Sequence, residues 1–160
     1  MSATSKGEDA GRLKLRAASA EDVEILSALL QDAIVPGEDM THDRTGRRFV
    51  MVANRFCWDQ PPMPGMKSDA GAPVYERRLC GIQIHGVDRV QAAGMPPSRR
   101  GMLFNLLAIT ATGSAGATQV DLLFSDNVSL RLDVENLLIL AEDLADGHPT
   151  TNLPSHMEGS

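Results

Sequence analysis

The sequence predicts an α+β fold: a curled or barrel-like antiparallel sheet of about six or seven strands, packed by one N-terminal helix over residues 20–34. Two observations carry that prediction. Between Gln119 and Glu135, Val120, Leu122 and Phe124 alternate with Gln119, Asp121 and Leu123. A polar break, Ser125-Asp126-Asn127, follows, and then Val128, Leu130, Leu132 and Val134 alternate with Ser129, Arg131, Asp133 and Glu135. Strand side chains point to opposite faces with a period of two, so this stretch is a hairpin with one apolar and one wet face. Near the N-terminus the period changes: Val23, Leu26, Leu29, Leu30, Ala33 and Ile34 recur at steps of three and four, the spacing of one helical stripe.

The remaining elements follow in chain order. Leu13 and Leu15 alternate with Lys14 and Arg16, a short strand. Ser19 can accept a free amide of the first helical turn, and Glu21 and Asp22 sit where the helix dipole favours negative charge. Pro36-Gly37 ends the helix. Residues 37–46 read as a turn-rich connection or a short edge strand. Arg48 to Trp58 is apolar on both parities, as in a central strand covered on two sides. Asp59 to Pro73 holds four prolines, two glycines and two methionines, which predicts a long, mobile surface loop. Strand returns over Val74 to Val90, with Gly86 as a bulge or bend. Ala92 to Gly101 is a loop, Met102 to Thr112 a buried strand, and Gly113 to Gly116 a flexible connection into the hairpin. Residues 136–144 fit either a continuation of the last strand or a short C-terminal helix, because short apolar runs do not decide by periodicity. The domain is expected to span 12–147, between a disordered N-terminus (1–11) and a disordered tail (148–160).

At 160 residues the length is that of one domain, and an apolar fraction of 42% with 22% charged residues is ordinary for a soluble one. No apolar run reaches the ~20 residues a bilayer demands, and the N-terminus lacks the apolar core of a secretory signal. Two cysteines are too few for a disulfide framework, so a cytoplasmic location is expected and a membrane partner is not. The net charge of −6 is unevenly spread: −4 over residues 1–40, +5 over 41–104 and −7 over 105–160. The middle balance suggests an Arg-rich surface (Arg47, Arg48, Arg55, Arg77, Arg78, Arg99, Arg100) for RNA or a phosphorylated ligand. The plainer account is a sheet whose arginines pair with acids from both ends. Stacking aromatics, usual in nucleic-acid modules, are scarce, so nucleic acid is possible but not favoured.

Reactive constellations are missing. Cys80 and His85 have opposite parity and would face opposite sides of one strand, and Cys57 has no spaced partner for a tetrahedral site, so no metal and no cofactor is expected. No GxSxG or activated cysteine motif suggests a nucleophile, and no catalytic residue is assigned. Gly113-Ser-Ala-Gly116 opens no helix and is no phosphate loop. The better candidates are contacts: Trp58 at the base of the Pro/Met loop with Met63 and Met66 in it, the arginines Arg55, Arg77 and Arg78, and His85 beside Gly86.

Several strings also resemble a known family. Leu13 to Ala33, Asn54-Arg55-Phe56-Cys57-Trp58, Glu76-Arg77-Arg78 through Val90-Gln91, Leu106-Leu107-Ala108-Ile109 and Leu130 to Leu144 are similar to small alphaproteobacterial proteins classed only as a domain of unknown function. The resemblance covers most of the folded part and implies no activity and no functional residues to carry over. It implies an extended strand over 136–144, variability over 59–73, and gene neighbourhoods near histidinol dehydrogenase. The leading expectation is a non-enzymatic cytoplasmic binding or accessory module acting through an unknown protein partner. The alternatives are an RNA or phosphorylated-ligand binder using the Arg-rich segment and, behind it, an enzyme of undetermined class.

Overall fold

The computed structural model describes residues 12–57, 75–114 and 116–144, with the backbone alone at Tyr75 and at 148–150. The chain runs β1 (Lys14–Ala17), α1 (Ala20–Leu29), β2 (Ala33–Pro36), a 3-10 turn (Gly37–Asp39), β3 (Met40–Asp43) and β4 (Arg48–Phe56). It continues through β5 (Tyr75–His85), β6 (Val87–Ala93), β7 (Leu103–Ser114), β8 (Ala117–Phe124), β9 (Ser129–Val134), β10 (Ile139–Asp143) and β11 (His148–Thr150). The strands form one sheet in the order β1-β10-β5-β4-β2-β7-β8-β9-β6, with β3 added on β4 and β11 on β5. Every pairing is antiparallel.

Two continuous segments curl the sheet. β5 passes into β6 through Gly86, whose φ of +69° a glycine adopts without strain. β9 passes into β10 through residues 135–138, and β5 pairs with β10 while β6 pairs with β9. Both segments therefore turn the same corner, held where His85 N–H donates to Leu138 O and Glu135 N–H to Gly86 O, each at 3.0 Å. Alternation then places Cys80, Ile82, Ile84, Val120, Leu122, Leu130, Leu132, Ile139 and Ala141 in one core. Phe104 and Phe124 meet edge to face in it, their centroids 5.8 Å apart. Each large side chain so buried contributes about 1.5–3 kcal/mol. The helix lays Val23 and Leu26 on this core, and Ser27 Oγ accepts the Ile109 N–H at 2.9 Å.

The hairpin forms as its alternation predicts. Asp126 and Asn127 both have positive φ, +65° and +61°, the geometry of a type I′ turn, whose twist matches the flanking strands. Ser19 caps α1 as expected, accepting the Asp22 N–H at 3.1 Å. Within 136–144, Ile139–Asp143 form a strand, not a helix, paired to β5 and, over Ile139–Glu142, to β1.

Three expectations are corrected. The sheet is not a closed barrel, because its hydrogen-bonded path starts at β1 and stops at β6. β6 meets the β3–β4 turn where Val87 N–H donates to Arg47 O at 2.9 Å, but no described ladder joins β6 to β3 or β4. The strand number is eleven among the described residues, not six or seven, because three short strands (β2, β3, β11) are added and two long segments are each divided by a corner. The helix ends at Leu29, not at residue 34: Asp32 takes φ +65°, its N–H donates to Leu106 O at 2.8 Å, and Ala33–Pro36 pair with β7. Ala33, Ile34 and Val35 are apolar on both parities and suit either element, so pairing with β7 decides. Beyond residue 147, the backbone of β11 pairs with that of Tyr75–Arg77.

Candidate functional site

Strand register gathers three of the contact candidates. β4 and β5 set Arg55 opposite Arg78 and Phe56 opposite Arg77, while β10 sets Asp143 opposite Cys80. Arg55 shares the inward parity of Phe49, Met51 and Ala53, and its side chain is fully buried. It forks onto Asp143, Nε to Oδ1 at 2.9 Å and Nη2 to Oδ2 at 2.8 Å, the parallel geometry that suits guanidinium to carboxylate. Asp143 Oδ2 also accepts the Leu13 N–H at 2.7 Å. On the other parity Arg77 is buried as well: its Nη2 donates to Asn54 O at 2.8 Å, and its Cζ lies 3.9 Å from the Phe56 ring centroid. Arg78 pairs with Glu76 at 2.7 Å.

This cluster has the chemistry of a structural clamp. Burial pushes the Arg77 guanidinium down to about 10, still a cation at neutral pH. Burial first, and the neighbouring Asp143 second, push the Cys80 thiol up to about 12, so it offers no thiolate. A carboxylate forked by an arginine and a thiol held protonated supply neither a base nor a nucleophile.

The other candidates lie apart. His85 stands at the far end of β5 opposite Arg48, half-buried, its Nε2 3.2 Å from Gln83 Oε1. Trp58, Met63 and Met66 lie outside the described residues. Of the remaining arginines in the Arg-rich segment, Arg47 bonds Asp88 (2.6 Å) and Glu135 (3.2 Å), and Arg48 bonds Asp43 (3.2 Å). Arg99 and Arg100 are exposed in the loop before β7. The wet face of the hairpin is likewise occupied by its own partners: Arg131 bonds Asp121 at 2.8 Å, and Gln119 Nε2 donates to Asp133 Oδ1 at 3.2 Å. Among the described residues no group of three or more His, Cys, Asp or Glu could hold a metal ion, and no helix is long and apolar enough to cross a membrane.

Two features escape sequence reasoning. One is an apolar strip on the outer face of β7 and β8. Leu106 pairs with Phe124 and Ala108 with Leu123, which leaves Leu107 as the extra residue of a bulge. Leu107 is 46% exposed beside Leu123 at 38%, with Leu103 at 48% further along β7. The signal was the double-parity apolar run Met102 to Ile109, which by itself does not say which leucines stay outside. The other is a groove of about 440 Å³ between β3 and β6, lined by His42, Arg44 and Arg99 above apolar side chains. Thr41, His42 and Arg44 follow one another on and just after β3, but Arg99 comes from a distant loop, and no local spacing announces the four together.

Residues 13–156 match the model of a family described as a protein of unknown function, DUF2948. The chain belongs to this family. The match runs from the residue before β1 to beyond β11, so in this DUF2948 chain the arginine clamp, the strip and the groove all lie within the family domain. The expected kinship with a domain of unknown function therefore holds. Neither the curated proteins nor the solved structures contain a match to this DUF2948 member.

Proposed function

We propose that this protein is a non-enzymatic cytoplasmic binding or accessory module that works through protein contacts. The observation that carries the reading is the strip Leu103, Leu107 and Leu123, three large apolar side chains left exposed on β7 and β8, with Leu107 at the bulge. Contiguous exposed apolar surface of this kind marks interaction sites on otherwise polar proteins. Trp58, Met63 and Met66, which follow β4 in sequence, are assigned to the same partner as a second contact. A reducing compartment fits two buried cysteines that are both free thiols.

The RNA reading is less well supported, because Arg47, Arg48, Arg55 and Arg78 are already engaged by acids of this chain. The test is cross-linked capture from native cells with the wild-type chain and with Leu107→Asp and Leu123→Asp. The reading expects a partner held by the wild type and lost from both variants at unchanged melting temperature. An identical captured set from all three would refute it.

A further inference from the structure

The groove between β3 and β6 carries an inference that stands apart from the apolar strip. Among the described residues β6 forms a ladder only with β9 and β3 only with β4, and apart from the Val87 N–H to Arg47 O bond the sheet leaves a gap between these two strands. The groove there encloses about 440 Å³, within the ~300–1,000 Å³ typical of small-molecule sites. Its floor is apolar and belongs to the core: Met40, Phe49 and Leu130 are 1%, 2% and 3% exposed, with Met95 packed against them. Methionine adapts its shape to what it touches, which suits a floor for an alkyl chain.

The fixed charges of the lining have one sign, those of Arg44 and Arg99, beside the polar Thr41 and His42. His42, Arg44 and Arg99 line the groove, and no acid does. Asp43, next in sequence to His42, is engaged elsewhere: its carboxylate accepts the Gly46 N–H at 3.0 Å and Arg48 Nε at 3.2 Å, and these bonds hold its carboxyl below the ordinary range. Arg44 and Arg99, like Arg89 and Arg100, differ from the acid-bound arginines of this region. Arg47, Arg48, Arg55 and Arg78 each hold an acid, whereas the guanidinium groups of Arg44 and Arg99 make no hydrogen bond or ion pair among the described residues. Arg99 is also held in place through its backbone. Met102 N–H donates to Arg99 O, Gly37 N–H donates to Met102 O, and a side chain at Gly37 would collide with the Arg99 carbonyl.

The geometry points to a binding site for a small organic anion with a short apolar tail, a carboxylate or an alkyl phosphate. The tail lies on Met40, Phe49, Met95 and Leu130, and the head meets Arg44, Arg99 and His42. The apolar core floor favours such a molecule over an acidic peptide, whose charges would gain nothing from Met40, Phe49 and Leu130.

Calorimetric titration with octanoate and with octyl phosphate, both below their micelle concentrations, tests this and separates the two head groups. Octanol supplies the tail alone and inorganic phosphate the head alone. At least one octyl anion is expected to bind at least tenfold tighter than octanol and inorganic phosphate, with amide shifts at Met40–Arg44, Val90–Ala92 and Met95–Arg99. The double variant Arg44→Gln/Arg99→Gln, altered only at exposed side chains, should melt with the wild type yet lose tenfold or more of that affinity. Octanol binding as tightly as the anions, or anion binding unchanged in the double variant, would overturn the assignment. So would binding of a Glu-rich peptide at the same amides when neither octyl anion binds.

Discussion

Arg55 and Asp143, 88 residues apart in sequence, meet through two parallel hydrogen bonds of 2.9 and 2.8 Å, and neither side chain is exposed. The pair closes one end of the core by joining β4 to β10. A buried ion pair gains little over a well-packed apolar pair, but removing one partner leaves a charge with nowhere to go. Asp143→Ala should therefore cost about 3–5 kcal/mol in denaturant unfolding, whereas the double replacement Arg55→Met/Asp143→Leu should cost much less. Equal losses from the single and double variants would show that the interaction is not what holds this end.

The Cys80 thiol gives a pH signature. Its folded value of about 12 lies above its ordinary 9.0, so below pH 9 its contribution to stability is fully present. Between 9 and 12 the unfolded thiol gives up its proton first, and that contribution drains away as the pH rises. Denaturant melts across this window should fall less steeply for Cys80→Ala than for the wild type, although the variant is less stable at pH 7. In the native protein at pH 8 the thiol should also resist alkylation until the chain unfolds.

Gly94 follows β6 at φ +72°, and a Cβ there would collide with the Asn127 carbonyl of the hairpin turn. Gly94→Ala therefore meets both backbone strain and a clash, for a loss of about 1–3 kcal/mol in thermal or chemical unfolding. Gly101, with φ +76° but nothing within 4 Å of its would-be Cβ, is the control, and Gly101→Ala should cost less.

The pairing of arginines with acids predicts weak affinity for polyanions. Binding to heparin or RNA falls steeply with salt in proportion to the phosphates neutralised. Retention on heparin should end at low salt, because Arg47, Arg48, Arg55 and Arg78 are held by Asp88, Asp43, Asp143 and Glu76. Tight retention at physiological salt would restore the nucleic-acid reading.

The loop assigned to the partner has its own test. Deleting Met63 to Gly71 should weaken capture of any partner that Leu107→Asp loses, without changing the melting temperature. Unchanged capture would remove Met63 and Met66 from the contact and leave the strip alone.

Alternation made much of the sheet legible. Val120, Leu122, Leu130 and Leu132 are buried as their parity demands, and Cys80 and His85 fall on opposite faces. What periodicity does not carry is partnership. Arg55 sits on the same parity as Met51 and Ala53, a sign of burial, but Asp143 is far away in sequence and no local spacing joins them. The short strand β2 was hidden for a different reason, since an apolar triplet after a helix fits either period and its pairing with β7 decides. The groove was least legible, because it exists only where β3 and β6 fail to pair.

The pairing of β1 with β10 has a consequence for how the chain is made. Leu13 N–H donates to the Asp143 carboxylate and Asp143 N–H donates to Leu13 O, and among the described residues the first strand has its ladder with β10 alone. During synthesis β1 must wait for some 130 further residues before its edge is covered. Such non-local closure slows folding and leaves an unpaired strand open to neighbouring chains in the meantime. A message cut short before residue 139 would yield not a smaller domain but a nascent polypeptide with its first strand exposed, a natural client for chaperones or proteases.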